Sequence, residues 1–204
     1  MHTANQTFDR SAPTVSRAAA LRVSTRRTTA PRTTDTRSSL LDYGALVIAA
    51  AAADLLTKWI AVASLGQGST VELMDRLSLM LVFNTGSAGG VMVGPYTWQL
   101  NVLVTLAALV LITVVAPSLI AVDRNARVSL GLVAGGALGN LASMLFGPAG
   151  VADFLALRLA GDTIIVMNVA DLELWAGALL LLPVVLTLVR AIRAERAADA
   201  IGGA

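Results

Sequence analysis

The segment Val151–Asp171, V-A-D-F-L-A-L-R-L-A-G-D-T-I-I-V-M-N-V-A-D, is a short connection between two strongly apolar stretches and carries an acidic residue near each end. Those residues are Asp153 and Asp171, and each has an ordinary explanation when taken alone. Asp153 is explained equally well as a solvated loop acid. With Asn168 as N-cap, Asp171 falls at the third position of a helix, where a carboxylate favours the helix dipole. Their joint role depends on whether they lie at the same end of the flanking segments.

The composition indicates an integral membrane protein. Of the 204 residues, 56% are hydrophobic and 14% are charged, and the mean hydropathy of +0.74 is outside the soluble globular range. The chain has no cysteine, which excludes a disulfide framework, a thiolate metal site and a cysteine nucleophile. The one histidine, His2, lies in a polar tail, so we expect no histidine-based catalysis or metal cluster. The formal charge of +2 gives no reason to expect a nucleic-acid partner.

Four apolar segments follow a polar N-terminal tail. Residues 1–39 are rich in Thr, Ser, Ala and Arg and contain no apolar run, so we predict a disordered basic tail. Each later segment is near the ~20 residues that a helix needs to cross a bilayer core of ~30 Å. Lipid requires internal backbone hydrogen bonds, so these segments are predicted to be helices of one membrane domain at 40–192, followed by a tail at 193–204. The helices are expected at about 41–63, 99–122, 128–147 and 172–190.

The basic residues indicate the orientation of the chain. Most of them lie in the tail, between the second and third helices, or after the fourth helix, whereas Arg76 and Arg158 fall in the other two connections. The positive-inside rule therefore predicts that both termini are cytoplasmic. The connections at about 64–98 and 148–171 are then extracytoplasmic, and Asp153 and Asp171 lie at the same membrane face.

The first outer connection has a strand-like pattern. Its apolar residues alternate with mostly polar ones, at Val71, Leu73, Leu77, Leu79, Leu81 and Phe83. This period of two predicts a small half-buried sheet on the membrane surface. On the third helix, Gly131, Gly135 and Gly139 recur every four residues and give a smooth face for close helix packing. The predicted fold class is therefore membrane all-α, with four transmembrane helices and a small extracytoplasmic β-sheet.

Several polar residues in or beside the apolar segments have two explanations. Asp54 and Lys58 lie four residues apart on the first helix, so they share a face and can pair. Because ionisable groups in a membrane span are costly, the pair either braces the helix or belongs to a site. Asn140 either links helices by hydrogen bonds or reaches the site. Asn84 and Gly86, in F-N-T-G, are explained by a turn.

Two carboxylates held close together can carry out hydrolysis without Ser, Cys or His. They do not both ionise easily, so they share a proton and their pKa values separate. The charged member can then activate water while the protonated member polarises a carbonyl group. Such a pair titrates as a unit. Asp153 and Asp171 are the candidate catalytic pair, and the chemistry that they suit is peptide hydrolysis.

Five motifs in this chain resemble, in order, those of type II signal peptidases, the bacterial prolipoprotein signal peptidases. The resemblance covers roughly Asp54 to Leu180 and accompanies the predicted four-helix layout. Any one motif is weak evidence, whereas five in the same order are strong. They are D-L-L-T-K (Asp54–Lys58), F-N-T-G-S-A (Phe83–Ala88), G-G-A-L-G-N-L (Gly135–Leu141), V-A-D-F (Val151–Phe154) and N-V-A-D (Asn168–Asp171).

The resemblance implies a membrane aspartyl protease that removes the signal peptide of a lipoprotein precursor, just before a cysteine that carries diacylglycerol. Asp153 and Asp171 match its catalytic acids. The sheet corresponds to the family's extracytoplasmic β-cradle over the substrate. The implied location is the bacterial cytoplasmic membrane, the partners are lipid-modified prolipoproteins and membrane lipids, and the expected state is a monomer without metal or cofactor. The residues that match those shaping or supporting the site are Asp54, Lys58, Asn84, Gly86, Asn140 and Asn168.

Two positions depart from the family pattern. After G-N-L the family usually continues with a hydrophobic residue, Asp and Arg, whereas this chain has Ala142, Ser143 and Met144. The resemblance implies that the Arg contacts substrate, and Met144 lacks its charge-assisted hydrogen-bond donor. After N-x-G-x-A the family usually has Phe, and this chain has Gly89.

These departures leave two alternatives to an active peptidase. The first is a catalytically weakened or inactive paralogue that binds lipidated peptides. The second is a small four-helix transport or scaffold protein, in which Asp54 and Lys58 lie in a polar path. The second alternative leaves the motifs of the outer face unexplained.

Overall fold

Residues 36–66, 68–86, 90–147 and 150–202 are described by the computed structural model of the chain. Within these ranges, four helices are long and apolar enough to cross a membrane, as the sequence predicts. Most of the tail predicted to be disordered lies outside the described residues, and so does Gly89. The helices are α1 (Thr36–Ser64), α2 (Thr97–Val122), α3 (Ala126–Phe146) and α4 (Val169–Gly202).

Two helices are longer than the apolar segments that predicted them. α1 begins at Thr36 rather than near 41, within the segment that the sequence assigned to the tail. α4 continues to Gly202 rather than ending near 190. The predicted ends followed the fall in hydropathy, but backbone hydrogen bonding continues wherever helix propensity is adequate. The final turns of α4 are rich in Ala, Arg and Glu, which are good helix formers in water.

The connection between α1 and α2 and the connection between α3 and α4 together form one antiparallel sheet, in which the described residues contribute four strands in the order β1-β2-β3-β4. The alternating pattern predicted the first two strands. It did not predict the last two, because short apolar runs such as F-L-A-L and I-I-V-M do not distinguish strand from helix. The strands are β1 (Thr70–Met74), β2 (Leu77–Asn84), β3 (Val151–Arg158) and β4 (Ile164–Met167).

The sheet has one covered face and one open face. On β3, Ala152, Phe154 and Ala156 are buried, while Leu155 and Leu157, which alternate with them, are only half-buried. Cross-strand pairing extends this second face into a continuous apolar surface, on the same side of β3 as Asp153. Its members are Val71, Met74, Leu77, Leu79, Leu155, Leu157, Ile165 and Met167.

The glycine face of α3 packs closely against α1, as the sequence predicts. An added Cβ at Gly131, Gly135 or Gly139 would meet Leu46, Ala50 or Asp54, respectively. Without side chains at these positions the two backbones can approach, which is the usual basis of tight helix packing in membranes. On another face of α3, a Cβ at Gly136 would lie 2.6 Å from the carbonyl oxygen of Ala170 in α4. α3 is therefore the helix against which both α1 and α4 are placed.

A methyl group at Gly135 is expected to destabilise the bundle. Its Cβ would meet Ala50 and lie 3.0 Å from the Val47 carbonyl oxygen, so Gly135→Ala should lower the unfolding free energy by about 1–3 kcal/mol. Gly44 on α1 has no atom within 4 Å of an added Cβ, and Gly44→Ala is the matched control. Thermal unfolding in detergent measures both variants. Equal stability of Gly135→Ala and Gly44→Ala would contradict the packing of α3 on α1.

Candidate active site

Asn168, at the junction of β4 and α4, is bonded to both candidate acids. Its side chain is 1% exposed. Its Nδ2 donates a hydrogen bond to Asp153 Oδ1 at 2.6 Å, and its backbone N–H donates to Asp171 Oδ2 at 3.0 Å. The Asp171 N–H donates in return to Asn168 Oδ1 at 3.1 Å. This reciprocal cap at the start of α4 is the arrangement predicted for Asn168 and Asp171, and it brings the two carboxylates to one side chain.

Asp153 is a buried acid with two amide donors. It is 5% exposed, and its Oδ2 accepts a hydrogen bond from Asn84 Nδ2 at 3.1 Å. The pKa of Asp153 is raised to about 6, mainly by burial and to a smaller extent by the nearby Asp171, while the hydrogen bonds from Asn168 and Asn84 and the charge of Lys58 act in the opposite direction. The carboxyl group therefore exchanges its proton close to neutral pH, in the range where general acid–base catalysis is effective.

The F-N-T-G turn orients Asn84 toward Asp153. The Gly86 N–H donates to Asn84 Oδ1 at 2.9 Å, which is the turn predicted from the sequence and leaves Asn84 Nδ2 for the acid. Asn101 of α2 donates from Nδ2 to the Gly86 carbonyl oxygen at 3.0 Å and holds the turn in place. No sequence motif described above includes Asn101. The signal that indicates it is an amide within a largely apolar helix.

A buried ion pair joins α1 to the neighbouring helices. Lys58 Nζ donates to Asp54 Oδ2 and to Asn140 Oδ1, both at 2.7 Å. Asp54 is fully buried, and its Oδ1 accepts the Ala170 N–H at 2.9 Å in the first turn of α4. The contribution of Ala170 comes from its backbone, so no residue-type pattern could have predicted it.

Asn140 connects this ion pair to the candidate acids. Its Nδ2 donates to Asp171 Oδ1 at 3.3 Å, and its Oδ1 accepts from Asn168 Nδ2 at 3.2 Å as well as from Lys58. The sequence left open whether Lys58 and Asn140 brace the helices or reach the site. In the structure they link helices and also contact the residues around the two acids. Among the described residues, no group of three or more His, Cys, Asp or Glu side chains is arranged to hold a metal ion.

Ser143 and Met144, two of the residues that depart from the family pattern, lie about one turn of α3 beyond Asn140. Ser143 is buried, and its Oγ donates to the Gly139 carbonyl oxygen at 3.0 Å, so its hydroxyl group is used within the helix. Met144 is half-buried and follows Asn140 by four residues, which places both on one face of α3. Position 144 therefore carries a neutral Met side chain, whereas the resemblance implies a positively charged Arg there.

An apolar cavity of about 250 Å³ adjoins the polar cluster. It lies between the C-terminal ends of α1 and α3 and the start of β3, and its lining includes Lys58, Trp59, Phe83, Ser143 and Phe146. Trp59 and Phe146 are exposed, so two aromatic side chains stand at its border. The cavity places room for an apolar group next to the lysine that bonds to Asn140.

Removal of Lys58 is expected to cost far more stability than removal of a surface cation. Lys58→Met leaves the buried Asp54 carboxylate without its counter-charge, which should lower the unfolding free energy by about 3–5 kcal/mol. The control is Arg127→Met, which breaks the more exposed 2.7 Å pair with Asp42 and should cost at most about 1 kcal/mol. Detergent unfolding curves of the two variants give the comparison. A Lys58→Met protein as stable as Arg127→Met would contradict the importance of the buried pair.

Known proteins resemble this chain over most of its length. Residues 46–187 match the family model described as signal peptidase (SPase) II. The lipoprotein signal peptidase of Rhodococcus jostii is 40% identical over 149 residues, which cover 68% of this chain and 68% of that protein. The lipoprotein signal peptidase of Geobacillus thermodenitrificans is 32% identical over 142 residues, which cover 68% of this chain and 86% of that protein.

The fold also matches solved structures. The structure of a bacterial membrane enzyme superposes on this chain with a TM-score of 0.60 at 24% sequence identity. The superposition covers 74% of this chain and 93% of the chain of that enzyme. That likeness concerns the fold alone, whereas the family match and the sequence relatives concern descent. On the strength of these relatives and of the match over residues 46–187, the chain belongs to the signal peptidase II family.

Proposed function

We propose that this chain is an aspartyl endopeptidase that removes signal peptides from lipid-modified lipoprotein precursors, cutting before the lipidated cysteine. The observation that carries the proposal is the position of Asn168, which hydrogen-bonds to both Asp153 and Asp171. Two carboxylates held by one amide suit acid–base hydrolysis of a peptide bond. The substrate class is supported by relatives that bear the name lipoprotein signal peptidase.

In this proposal the acid pair carries one proton, and that proton resides on Asp153. Burial raises the pKa of Asp153 to about 6, so this protonated form becomes populated as the pH falls toward that value. Asp171 carries the negative charge, which is favoured in the first turn of α4 by the helix dipole and by the Asn168 N–H. The two environments therefore assign the acid and the base.

The reaction follows from this division of roles. Water adds to the scissile carbonyl carbon while its proton passes to Asp171, and the carbonyl oxygen takes the proton of Asp153. The tetrahedral diol then collapses and the carbon–nitrogen bond breaks. The leaving nitrogen receives the proton from Asp171, and a diol hydroxyl returns a proton to Asp153. The initial protonation of the pair is restored, and no cofactor takes part.

The surrounding residues act by positioning and by charge. Asn84, oriented by the Gly86 turn, and Asn168 keep Asp153 in place. Lys58 lies within the same cluster and offsets the negative charge of Asp54 and of the acid pair. Asn140 contacts Asp171 directly. All of these groups belong to one chain, which supports activity as a monomer.

A lipid-modified substrate needs apolar surface beside the acids. The cavity bordered by Trp59 and Phe146 supplies it next to Lys58. Met144 adds a further apolar side chain on the face of α3 that carries Asn140. These features support a substrate whose reacting peptide is attached to acyl chains.

The proposal includes the orientation inferred from the sequence and a domain layout. Both termini lie in the cytoplasm of a bacterium, and the acid pair lies at the extracytoplasmic face of the cytoplasmic membrane, in contact with its lipids. The basic residues beside the cytoplasmic ends of the helices support this orientation. The layout comprises a basic N-terminal tail, a membrane peptidase domain whose first helix begins at Thr36, and a C-terminal extension of α4 to Gly202.

A second candidate function is binding of lipidated peptides without cleavage. Ser143 and Met144 favour it, because the implied Arg–substrate contact has no equivalent donor at position 144. The retention and the shared bonding of Asp153 and Asp171 favour the peptidase, since a binder has no use for paired acids.

Cleavage should depend on both acids. Purified protein in nanodiscs is incubated with a diacylglyceryl-modified prolipoprotein, and release of the signal peptide is followed by gel shift. Asp153→Asn and Asp171→Asn should each lower the rate by at least about 10²–10⁴-fold, because each removes a proton-transfer group. Asp75→Asn, at an exposed acid in the turn between β1 and β2, is the matched control and should cleave normally.

The remaining outcomes separate the candidate functions. Turnover at the wild-type rate by either site variant would remove the pair from the mechanism. Binding of the precursor by the wild-type protein without any cleavage would establish the second candidate instead. Thermal unfolding of each variant confirms that lost activity does not reflect lost folding.

A further inference from the structure

We infer that the open edge of β4 binds the substrate backbone as an added β-strand that leads the scissile bond to the two acids. This inference rests on the proposed function. β4 is the outermost strand on its side of the sheet, and the chain passes from Met167 directly into Asn168. The β4 edge is defined here as the outward backbone N–H and C=O groups of Ile164 and Val166.

The direction of these groups follows from the hydrogen bonds of β3. The Leu159 N–H donates to the Thr163 carbonyl oxygen at 2.8 Å, across the β3–β4 hairpin. The Arg158 N–H instead donates to the Arg76 carbonyl oxygen at 2.8 Å, on the opposite side. Backbone groups of an antiparallel pair alternate between bonding inward and pointing outward. Arg158 and its partner Ile164 therefore form a pair that does not exchange hydrogen bonds.

The same alternation runs along the rest of β4. Leu157 and Ile165 exchange bonds, as do Leu155 and Met167, whereas Ala156 and Val166 do not. In the part of the chain that the structure describes, no other strand pairs with the β4 edge, and Ile164 is 48% exposed. Unpaired N–H and C=O groups on an edge strand form a template for another extended chain.

The position of the β4 edge indicates that the bound chain is the substrate peptide. An added strand lies ~4.8 Å from its neighbour, so a peptide paired with Val166 runs on past Met167 toward Asn168 and Asp171. A peptide bond must be held extended for one acid to reach its carbonyl oxygen and the other to reach the attacking water. The other open edge of the sheet, β1, is separated from Asp153 on β3 by β2 and has no acid pair at its end.

The chemistry of the β4 edge predicts how it selects substrates. Strand addition derives affinity from main-chain hydrogen bonds and specificity from alternate side chains. The side chains of β4 are all apolar, I-I-V-M, so they favour small or apolar neighbours and contain no charged group that demands a partner. The edge is therefore expected to accept different apolar sequences rather than one particular sequence.

Disulfide cross-linking from single introduced cysteines tests whether the substrate lies along the β4 edge. The chain has no cysteine of its own that could compete. Ile164→Cys and Val166→Cys are made in the Asp153→Asn protein, which retains substrate, and Thr70→Cys on β1 is the matched control. The precursor carries one added cysteine at successive positions around the cut, while its lipidated cysteine has no free thiol. Opposed residues of paired strands are ~5.5 Å apart at Cα, within the range that a disulfide spans.

We expect Val166→Cys and Ile164→Cys to cross-link to substrate positions two residues apart, and Thr70→Cys to cross-link to none. Cross-links of equal yield from Thr70→Cys, or none from β4 while the wild-type protein cleaves the precursor, would overturn the inference and leave the proposed function standing. Cross-links from β4 with no cleavage by the wild-type protein would support the edge as a peptide-binding surface and refute the peptidase.

A proline substitution tests the hydrogen bonds themselves. Val166→Pro removes an N–H that points away from β3, which edge strands tolerate. It should lower kcat/KM about tenfold with an unchanged unfolding temperature, whereas Thr70→Pro on β1 should leave kcat/KM unchanged. Wild-type kcat/KM in a folded Val166→Pro protein would contradict main-chain recognition by the β4 edge.

Discussion

The hydrogen bonds of Asn168 are the interaction on which the rest of the site depends. Its side chain, 1% exposed, bonds to Asp153 on β3, to Asn140 on α3 and to the backbone of Asp171 on α4. A buried amide must satisfy its donors and acceptors, so the sheet and two helices are held in one relative position. The same bonds bring together two carboxylates that would repel each other if both were ionised.

The close packing of α3 on α1 and the position of the buried ion pair depend on each other. Gly139 lies on the face of α3 that meets α1, and an added Cβ there would collide with the Asp54 carboxylate. Asp54 in turn bonds to Lys58 and to the first turn of α4. The absence of a side chain at Gly139 thus makes room for the ion pair, and the ion pair positions the helix that carries Asp171.

Local patterns in the sequence predicted much of this arrangement. Hydropathy gave the four helices, period-two alternation gave β1 and β2, and residue spacing gave the pair of Asp54 and Lys58 and the cap formed by Asn168 and Asp171. The sequence did not predict the β3–β4 hairpin, whose apolar runs are too short to distinguish strand from helix. Nor did it predict the bond from the Ala170 N–H, because backbone contacts between distant segments leave no pattern in residue types.

The proposed mechanism requires that the acid pair carries one proton and that Asp153 holds it. Infrared difference spectroscopy between the wild-type protein and Asp153→Asn isolates the carbonyl band of this protonated carboxyl group. Burial raises the pKa of Asp153 to about 6, so the band should be present at lower pH and be lost as the pH rises through about 6. A difference spectrum without such a band at a pH well below that value would show that Asp153 is already ionised and contradict the assignment of acid and base.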